Sequence, residues 1–235
     1  MIELYSEGFG YFHSPTIVGL LELTTDILEK YSGLTSPRLL VIVHKAGDPE
    51  CRNDNARRII SLSATENYYG QWIYQYAHEY LHHLIDGPME GRLSGLKWFE
   101  ETLCEAASRF VIWRLGYSDL CATRGLNHAC PILRDYHDNH LPVDPFLKEE
   151  FLLNGSVRPW LPLLGDYHYH RQHYSVIADA MQPLLRTTPY LLRIVSGIGD
   201  STQWQSLESL LSHLESEIPA VSKYVIHLRR VLLGQ

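Results

Sequence analysis

Apolar residues recur every three to four positions in five parts of the chain, a pattern typical of helices that bury one face. The first of these segments follows Ser14-Pro15 and ends near Gly33, so both of its ends carry ordinary helix boundary signals. The predicted helices cover approximately residues 15–31, 68–85, 96–115, 169–186 and 203–232. Helix therefore dominates the C-terminal half, where a loop-rich stretch with several prolines follows Gly116.

Two short runs, Arg38–His44 and Arg58–Ser63, are apolar and rich in β-branched residues, and a polar turn region, Gly47–Asn55, separates them. This pattern predicts two neighbouring strands. The Ile59–Leu62 part either forms an edge strand that pairs with an extended peptide or lies buried in the sheet. The predicted fold class is α+β, with a small N-terminal mixed sheet and a mainly helical C-terminal part.

Length, composition and charge limit the classes of protein that fit this sequence. The chain has 235 residues and a mass of 27.1 kDa, which fits one compact domain over residues 1–235. A net charge of −7 with dispersed acidic and basic residues argues against nucleic acid as a partner. The acidic N-terminus lacks signal-peptide features and no apolar run is long enough to span a membrane, so we expect a cytoplasmic protein without membrane contact.

Metal ligands are the clearest chemical signal. The segment His78-Glu79-Tyr80-Leu81-His82 is an H-E-x-x-H motif, whose two histidines lie one turn apart on one face of the predicted second helix. An apolar stripe is predicted on the opposite face, so the helix packs against the core and presents both imidazoles to a cleft. The adjacent His83 points about 100° away from His82 and is interpreted as structural.

A second helix extends the motif. Glu101 follows His82 by nineteen positions, which gives the spacing H-E-x-x-H-x18-E, and it lies in the segment Trp98-Phe99-Glu100-Glu101-Thr102-Leu103-Cys104-Glu105. This pattern resembles the gluzincin metallopeptidases, specifically the aminopeptidase N and leukotriene A4 hydrolase group, whose W-L-N-E-G-F-A-E segment supplies a zinc ligand. The match holds at Trp98, Glu101 and Glu105, and covers roughly residues 72 to 110.

The resemblance implies a thermolysin-like zincin catalytic core that acts on a peptide or protein substrate. It implies one zinc ion per chain, bound by His78, His82 and Glu101, with the fourth position open for water. Glu79 would be the general base, and Glu105 would accept the N–H of a zinc-bound imidazole. Glu100, in contrast, is expected to be a solvated helix carboxylate.

The donor to the oxyanion is less narrowly defined by the sequence. Relatives often use a tyrosine far downstream of the glutamate ligand, and the run from Tyr167 to Tyr174 falls at about that separation. Tyr169 is the predicted residue. Four neighbours in this run remain alternatives, namely Tyr167, His170, His173 and Tyr174.

Three alternatives to a single peptidase site remain. The same metal site could hydrolyse a non-peptide amide or an epoxide. The chain could also be a degenerate metallopeptidase-like domain with a structural or partner-binding role, although an intact Glu79 argues against this. A second zinc site would use the last two of the four cysteines and two histidines, but their spacing matches no established module. Its residues would be Cys121, His128, Cys130 and His137.

Overall fold

A computed structural model describes residues 2–36, 39–54, 57–85, 94–141, 143–165, 170–198, 206–217 and 219–235 of the chain. A small mixed sheet of four strands forms in the first 62 residues, and the rest of the described chain is mainly helical. The predicted α+β class is therefore confirmed.

The sheet contains two strands that the sequence predicted and two that it did not. Its strands are β1 (Ile2–Leu4), β2 (Leu39–His44), β3 (Glu50–Asp54) and β4 (Arg57–Leu62), in the order β1-β2-β4-β3. The predicted pair, β2 and β4, are parallel neighbours, and β3 runs antiparallel to β4. Since β4 lies between β2 and β3, the interpretation of Ile59–Leu62 as an edge strand is wrong.

The strand β3 shows why part of the sheet escaped prediction. Its sequence, Glu-Cys-Arg-Asn-Asp, is polar and fell within the predicted turn region. A strand at the edge of a sheet needs only backbone hydrogen bonds from one neighbour, so it can form without an apolar pattern. The strand β1 is only three residues long, too short for a periodic signal.

One long helix lies between β1 and β2 along the chain, and two more follow β4. They are α1 (Ser14–Ser32), α2 (Tyr69–Ile85) and α3 (Ser94–Tyr117), and each begins and ends within two residues of its predicted limits. The predicted connection Gly87–Gly95 lies almost entirely outside the described residues.

The stretch after α3 is more helical than predicted. It contains α4 (Cys130–Asp135), α5 (Pro145–Asn154) and α6 (Leu161–Gly165), together with short 3-10 and π turns. Pro131 and Pro145 occupy the first turn of α4 and α5. Because a proline lacks an N–H that the first helical turn leaves unpaired anyway, these prolines mark helix starts rather than loops.

Four more helices lie after α6 in the described part of the chain: α7 (Arg171–Thr187), α8 (Val195–Ile198), α9 (Leu207–Glu217) and α10 (Pro219–Leu233). The pattern at residues 203–232, predicted as one helical segment, is thus two helices, and α10 again begins at a proline. No helix among the described residues is both long and apolar enough to cross a membrane.

The chain forms two compact units. The first contains the sheet, α1, α2, the C-terminal part of α3 and α4, in the ranges Met1–Lys30, Leu34–Leu84 and Ala107–Pro142. The second contains the N-terminal part of α3 and the helices α5 to α10, in the ranges Tyr31–Gly33, Ile85–Ala106 and Val143–Gln235. A single domain over the whole chain stays a prediction.

Within the first unit, two tyrosines join α2 to α1. The Tyr76 hydroxyl lies 2.8 Å from Thr25 Oγ1, and the Tyr80 hydroxyl donates to Glu29 Oε1 at 2.7 Å. Burial raises the pKa of both tyrosines, so they remain protonated at neutral pH. These hydrogen bonds hold the apolar face of α2 against α1.

Candidate metal centre

The helix α2, all of which is described, is buried around most of its circumference. Its partly exposed residues are Gln71, Tyr74, His78 and His82, and every other residue of the helix is buried. Their spacing of three, four and four places them in one stripe along the helix. The single accessible stripe of α2 is therefore the one that carries both histidines of the H-E-x-x-H motif.

The two imidazoles are arranged as a pair of ligands to one ion. The Nε2 atoms of His78 and His82 lie 3.2 Å apart, and the ring planes are inclined by 64°. Two nitrogens about 2.0–2.1 Å from one tetrahedral zinc ion would lie roughly 3.3–3.4 Å apart. The observed separation is close to this value.

Glu101 supplies the third converging group. One ligand atom from each of His78, His82 and Glu101 can be chosen so that all three lie within 4.8 Å of one another. This group of two imidazoles and a carboxylate could hold a metal ion. In the described part of the chain, no other set of three histidine, cysteine, aspartate or glutamate side chains converges in this way.

The histidines of the alternative second site have other partners. His128 Nε2 lies 3.1 Å from the Thr16 hydroxyl, and His137 Nδ1 lies 2.7 Å from a carboxylate oxygen of Asp138. These contacts account for both imidazoles without a metal ion.

Four carboxylates of α2 and α3 are buried. The exposed fractions are 7% for Glu79, 4% for Glu100, 8% for Glu101 and 3% for Glu105. The expectation that Glu100 is solvated is therefore wrong, and Glu105 is not a surface charge. Buried carboxylates are costly unless hydrogen bonds or cations compensate them, so this concentration favours a site that holds positive charge.

A buried glutamine anchors α2 to the end of β4. Gln75 Oε1 accepts the backbone N–H groups of Ser63 and Ala64 at 2.9 and 3.0 Å, and its Nε2 donates to Ser63 Oγ at 2.9 Å. Gln75 precedes His78 by less than one turn. It thus ties the motif-bearing part of the helix to the sheet.

A second polar network anchors the C-terminal end of α2. Arg58 on β4 donates from Nε to His83 Nδ1 at 2.8 Å, and His83 Nε2 contacts the Ser36 hydroxyl. Because Nδ1 accepts from an arginine, the proton of a neutral His83 lies on Nε2. His83 therefore has the structural surroundings that the sequence indicated. Neither Arg58 nor Gln75 belongs to a recognisable motif, so sequence reasoning missed both.

The N-terminal half of α7 contacts Glu105 of α3 in the second unit. Ser175 Oγ donates to Glu105 Oε1 at 3.3 Å. Burial raises the pKa of Tyr174, a backbone hydrogen bond to His170 opposes the rise, and the Glu101 carboxylate adds to it. Tyr174 is therefore protonated at neutral pH.

The other candidate donors to the oxyanion between Tyr167 and Tyr174 have different surroundings or lie outside the described residues. Tyr169 and Tyr167 lie outside the described residues, so the role predicted for Tyr169 stays a prediction. The His173 ring packs edge-on against Trp160, with ring centroids 4.8 Å apart. Burial lowers the pKa of His173, and His170 adds to this effect. His173 is thus a largely neutral imidazole beside a tryptophan.

No family model, curated protein or solved structure matches the chain. The function must therefore be argued from the site itself.

Proposed function

We propose that this protein is a zinc-dependent hydrolase that cleaves peptide bonds. The observation that carries the proposal is the convergence of ligand atoms from His78, His82 and Glu101. Two imidazoles and one carboxylate are a ligand set of catalytic zinc sites, whereas structural zinc sites have four protein ligands. Three protein ligands leave one coordination position for water or substrate.

Zinc held by these side chains would supply the charge that polarises a carbonyl group and lowers the pKa of water. The protein contributes the geometry. Because α2 is fixed to the sheet through Gln75 and to Arg58 through His83, the two histidines are held in place before any ion binds.

Glu79 is the proposed general base. It directly follows His78, its side chain is buried, and it is not one of the three converging ligands. In the proposed reaction its carboxylate accepts the proton of the attacking water and donates it to the leaving amine. Zinc binding alone does not require this carboxylate, so its presence favours catalysis over a purely structural metal site.

A tyrosine hydroxyl near the start of α7 is the proposed donor to the oxyanion that develops on the substrate. Tyr169 remains the predicted donor. Tyr174 is an alternative among the described residues, since it is buried and the Glu101 carboxylate contributes to the rise of its pKa.

The choice of a peptide substrate is supported by the H-E-x-x-H-x18-E spacing and its resemblance to gluzincin peptidases. A small sheet directly before the helix with H-E-x-x-H is consistent with a thermolysin-like core, which is part of this proposal.

The first prediction tests the proposal through Glu79→Gln, which removes the base and leaves the three ligands intact. We expect stoichiometric zinc in both wild type and variant, and hydrolysis of an unbiased peptide library that falls by several orders of magnitude in the variant. Zinc content is measured by elemental analysis and cleavage by mass spectrometry. Glu149→Gln, which changes an exposed glutamate on α5, is the matched control and should cleave as wild type does.

Two results would contradict the proposal. A wild type that binds zinc but cleaves no peptide would indicate a structural or partner-binding domain. A Glu79→Gln activity within tenfold of wild type would exclude Glu79 as the base.

A further inference from the structure

The partly exposed stripe of α2 carries an aromatic surface next to the metal ligands. Tyr74 lies in this stripe one turn before His78 and is itself partly exposed. The ring centroids of Tyr74 and Tyr136 are 6.3 Å apart, and the His140 ring stacks on Tyr136 at 5.5 Å, with the ring planes inclined by 26°. The side chains of Tyr74, Tyr136 and His140 are called the aromatic cluster below. All three belong to the first unit.

The aromatic cluster depends on an uncommon local structure. Tyr136 and His140 are the first and last residues of a π turn, Tyr136–His140, that follows α4. The Tyr136 ring lies directly against Gly70 of α2, where any Cβ would overlap it. Short π-helical segments are rare and occur frequently at functional sites. The π turn therefore favours a binding role for the rings that it brings to α2.

Two contacts with α3 hold the π turn in place. The buried Arg109 donates from its guanidinium to the carbonyl of Leu141, directly after the turn, at 2.6 Å. The Tyr117 hydroxyl donates to the Asp138 carboxylate within the turn, also at 2.6 Å. Groups that are fixed before a ligand arrives lose little conformational entropy when it binds. The π turn is thus a prearranged support for the aromatic cluster.

We propose that the aromatic cluster binds an aromatic side chain of the peptide substrate, two or three residues from the bond that is cleaved. This inference rests on the proposed function, because it assumes that the cleaved bond lies beside His78 and His82. Aromatic rings favour offset-stacked and edge-to-face contacts with a further ring. The side chain of phenylalanine, tyrosine or tryptophan is therefore the ligand that the aromatic cluster fits best.

The distance along α2 defines the position of this residue in the substrate. A helix rises 1.5 Å per residue, so Tyr74 lies about 6 Å from the level of His78, and Gly70, which contacts Tyr136, about 12 Å from it. An extended peptide advances roughly 3.3–3.6 Å per residue. A substrate that runs along the exposed stripe of α2 therefore brings its second or third residue from the cleaved bond to the aromatic cluster.

The charges beside the aromatic cluster disfavour an acidic side chain. Asp135 directly precedes Tyr136, and its carboxylate lies 3.5 Å from His140 Nε2. Asp138 belongs to the π turn itself. A substrate aspartate or glutamate would approach two groups of the same charge. The expected order of preference at this subsite is therefore aromatic first, aliphatic next and acidic last.

The test measures cleavage of a positional set of alanine-based decapeptides by zinc-loaded wild type. Each peptide carries one phenylalanine, leucine, arginine or glutamate, and mass spectrometry identifies the cleaved bond and its rate. We expect kcat/KM to be about tenfold higher for phenylalanine than for alanine two or three residues from the cleaved bond. Glutamate at the same position should give the lowest value.

Variants locate this preference in the aromatic cluster. Tyr74→Leu keeps an apolar side chain without a ring, so the preference for phenylalanine should fall to within about twofold, while the all-alanine peptide is cleaved as by wild type. Tyr74→Phe keeps the ring and should keep the preference. His140→Ala changes an exposed side chain and should lower the preference without unfolding the protein. Tyr11→Leu, which changes a tyrosine that is 89% exposed, is the matched control.

A binding measurement separates this inference from the proposed function. In the Glu79→Gln protein, calorimetry should show that the phenylalanine decapeptides bind more tightly than the all-alanine peptide, and that adding Tyr74→Leu weakens their binding by about tenfold. Zinc content should stay at one per chain in both proteins. Zinc-loaded wild type that cleaves no peptide would contradict the proposed function, whereas the binding result still decides on the subsite.

Three results would overturn the subsite alone. The first is cleavage by wild type with no aromatic preference two or three residues from the cleaved bond, or with a preference for arginine there. The second is an unchanged preference in both Tyr74→Leu and His140→Ala. The third is equal binding of the phenylalanine decapeptides with and without Tyr74→Leu in the Glu79→Gln protein.

Discussion

His82 and His83 are adjacent on α2 but have different surroundings. His82 Nε2 lies 3.2 Å from His78 Nε2 in the stripe of α2 that is partly exposed. His83 is 3% exposed and accepts a hydrogen bond from the guanidinium of Arg58. Successive residues of a helix point about 100° apart, so one imidazole faces the candidate metal site and the other binds Arg58 and stabilises the helix.

The second prediction compares these two histidines. His83→Ala removes the acceptor of a buried guanidinium N–H, so we expect the free energy of unfolding of the metal-free protein to fall by about 2 kcal/mol. Zinc content should stay near one per chain. His82→Ala should show the opposite behaviour, with most zinc lost and little change in the stability of the metal-free protein. Urea denaturation and elemental analysis measure the two quantities, and loss of zinc in folded His83→Ala would contradict the assignment.

The third prediction compares Glu101 and Glu105, which lie one turn apart on α3 and are both buried. Glu101→Ala removes one of the three converging ligands, so we expect zinc to be largely lost. Glu105→Ala removes the acceptor of the Ser175 hydroxyl and the proposed outer acceptor of an imidazole. Its zinc affinity should fall by about 10 to 100-fold, with full occupancy at excess zinc.

Titration with zinc against a competing chelator separates the two glutamates. Wild-type affinity in Glu105→Ala would remove Glu105 from the metal site. Wild-type affinity in Glu101→Ala would contradict the gluzincin-like ligand set itself.

At the scale of the element, α2 depends on a close approach at its N-terminal end. Gly70 lies against the ring of Tyr136, so closely that an added Cβ would overlap the ring atoms. Tyr136 begins the π turn Tyr136–His140 that follows α4. Position 70 lies within a regular helix, so the backbone conformation does not require a glycine there. The close approach of the Tyr136 ring does.

The fourth prediction follows from that contact. Gly70→Ala should lower the free energy of unfolding by about 1–3 kcal/mol, because the gain in helix propensity is smaller than the cost of moving a packed tyrosine ring. Gly165→Ala on α6 is the matched control, since its Cβ would meet no atom within 4 Å. Thermal and urea unfolding measure both variants, and a Gly70→Ala protein as stable as wild type would contradict the packing.

Helices and strands differ in how far the sequence predicted them, for physical reasons. The helices α1, α2 and α3 repeat an apolar face over several turns, so their limits could be read from the pattern. The edge strand β3 is polar because backbone pairing with β4 suffices for it. Short helices such as α4 and α5 have too few turns to show a period, and their prolines favour a loop when the sequence is considered alone.

The sequence also predicts some features of the candidate site and not others. Helix geometry links His78 and His82 to one ion, the resemblance to the gluzincins implies Glu101 as the third ligand, and the structure brings ligand atoms of all three together. The burial of Glu100 and the anchors through Gln75 and Arg58 depend on tertiary neighbours, which no local pattern encodes.

At the scale of the whole molecule, metal binding and folding are linked. Glu101 lies on another helix than the two histidines and nineteen positions after His82, so an unfolded chain does not hold the three ligands together. An ion that binds only the folded state stabilises it by RT ln(1 + [L]/Kd), about 2.7 kcal/mol at a zinc concentration one hundred times Kd. Zinc should therefore behave as a stabilising ligand of the entire fold.

The fifth prediction is a zinc-dependent melting temperature. For a chain of this length about 1 kcal/mol corresponds to roughly 2–4 °C, so zinc at one hundred times Kd should raise the Tm of wild type by about 5–10 °C. The rise should disappear with a chelator and be absent in Glu101→Ala, which lacks one ligand. Glu149→Ala, an exposed change on α5, should show the full rise. Calorimetry of the three proteins with and without zinc decides the matter, because an equal rise in Glu101→Ala would place the bound ion away from His78, His82 and Glu101.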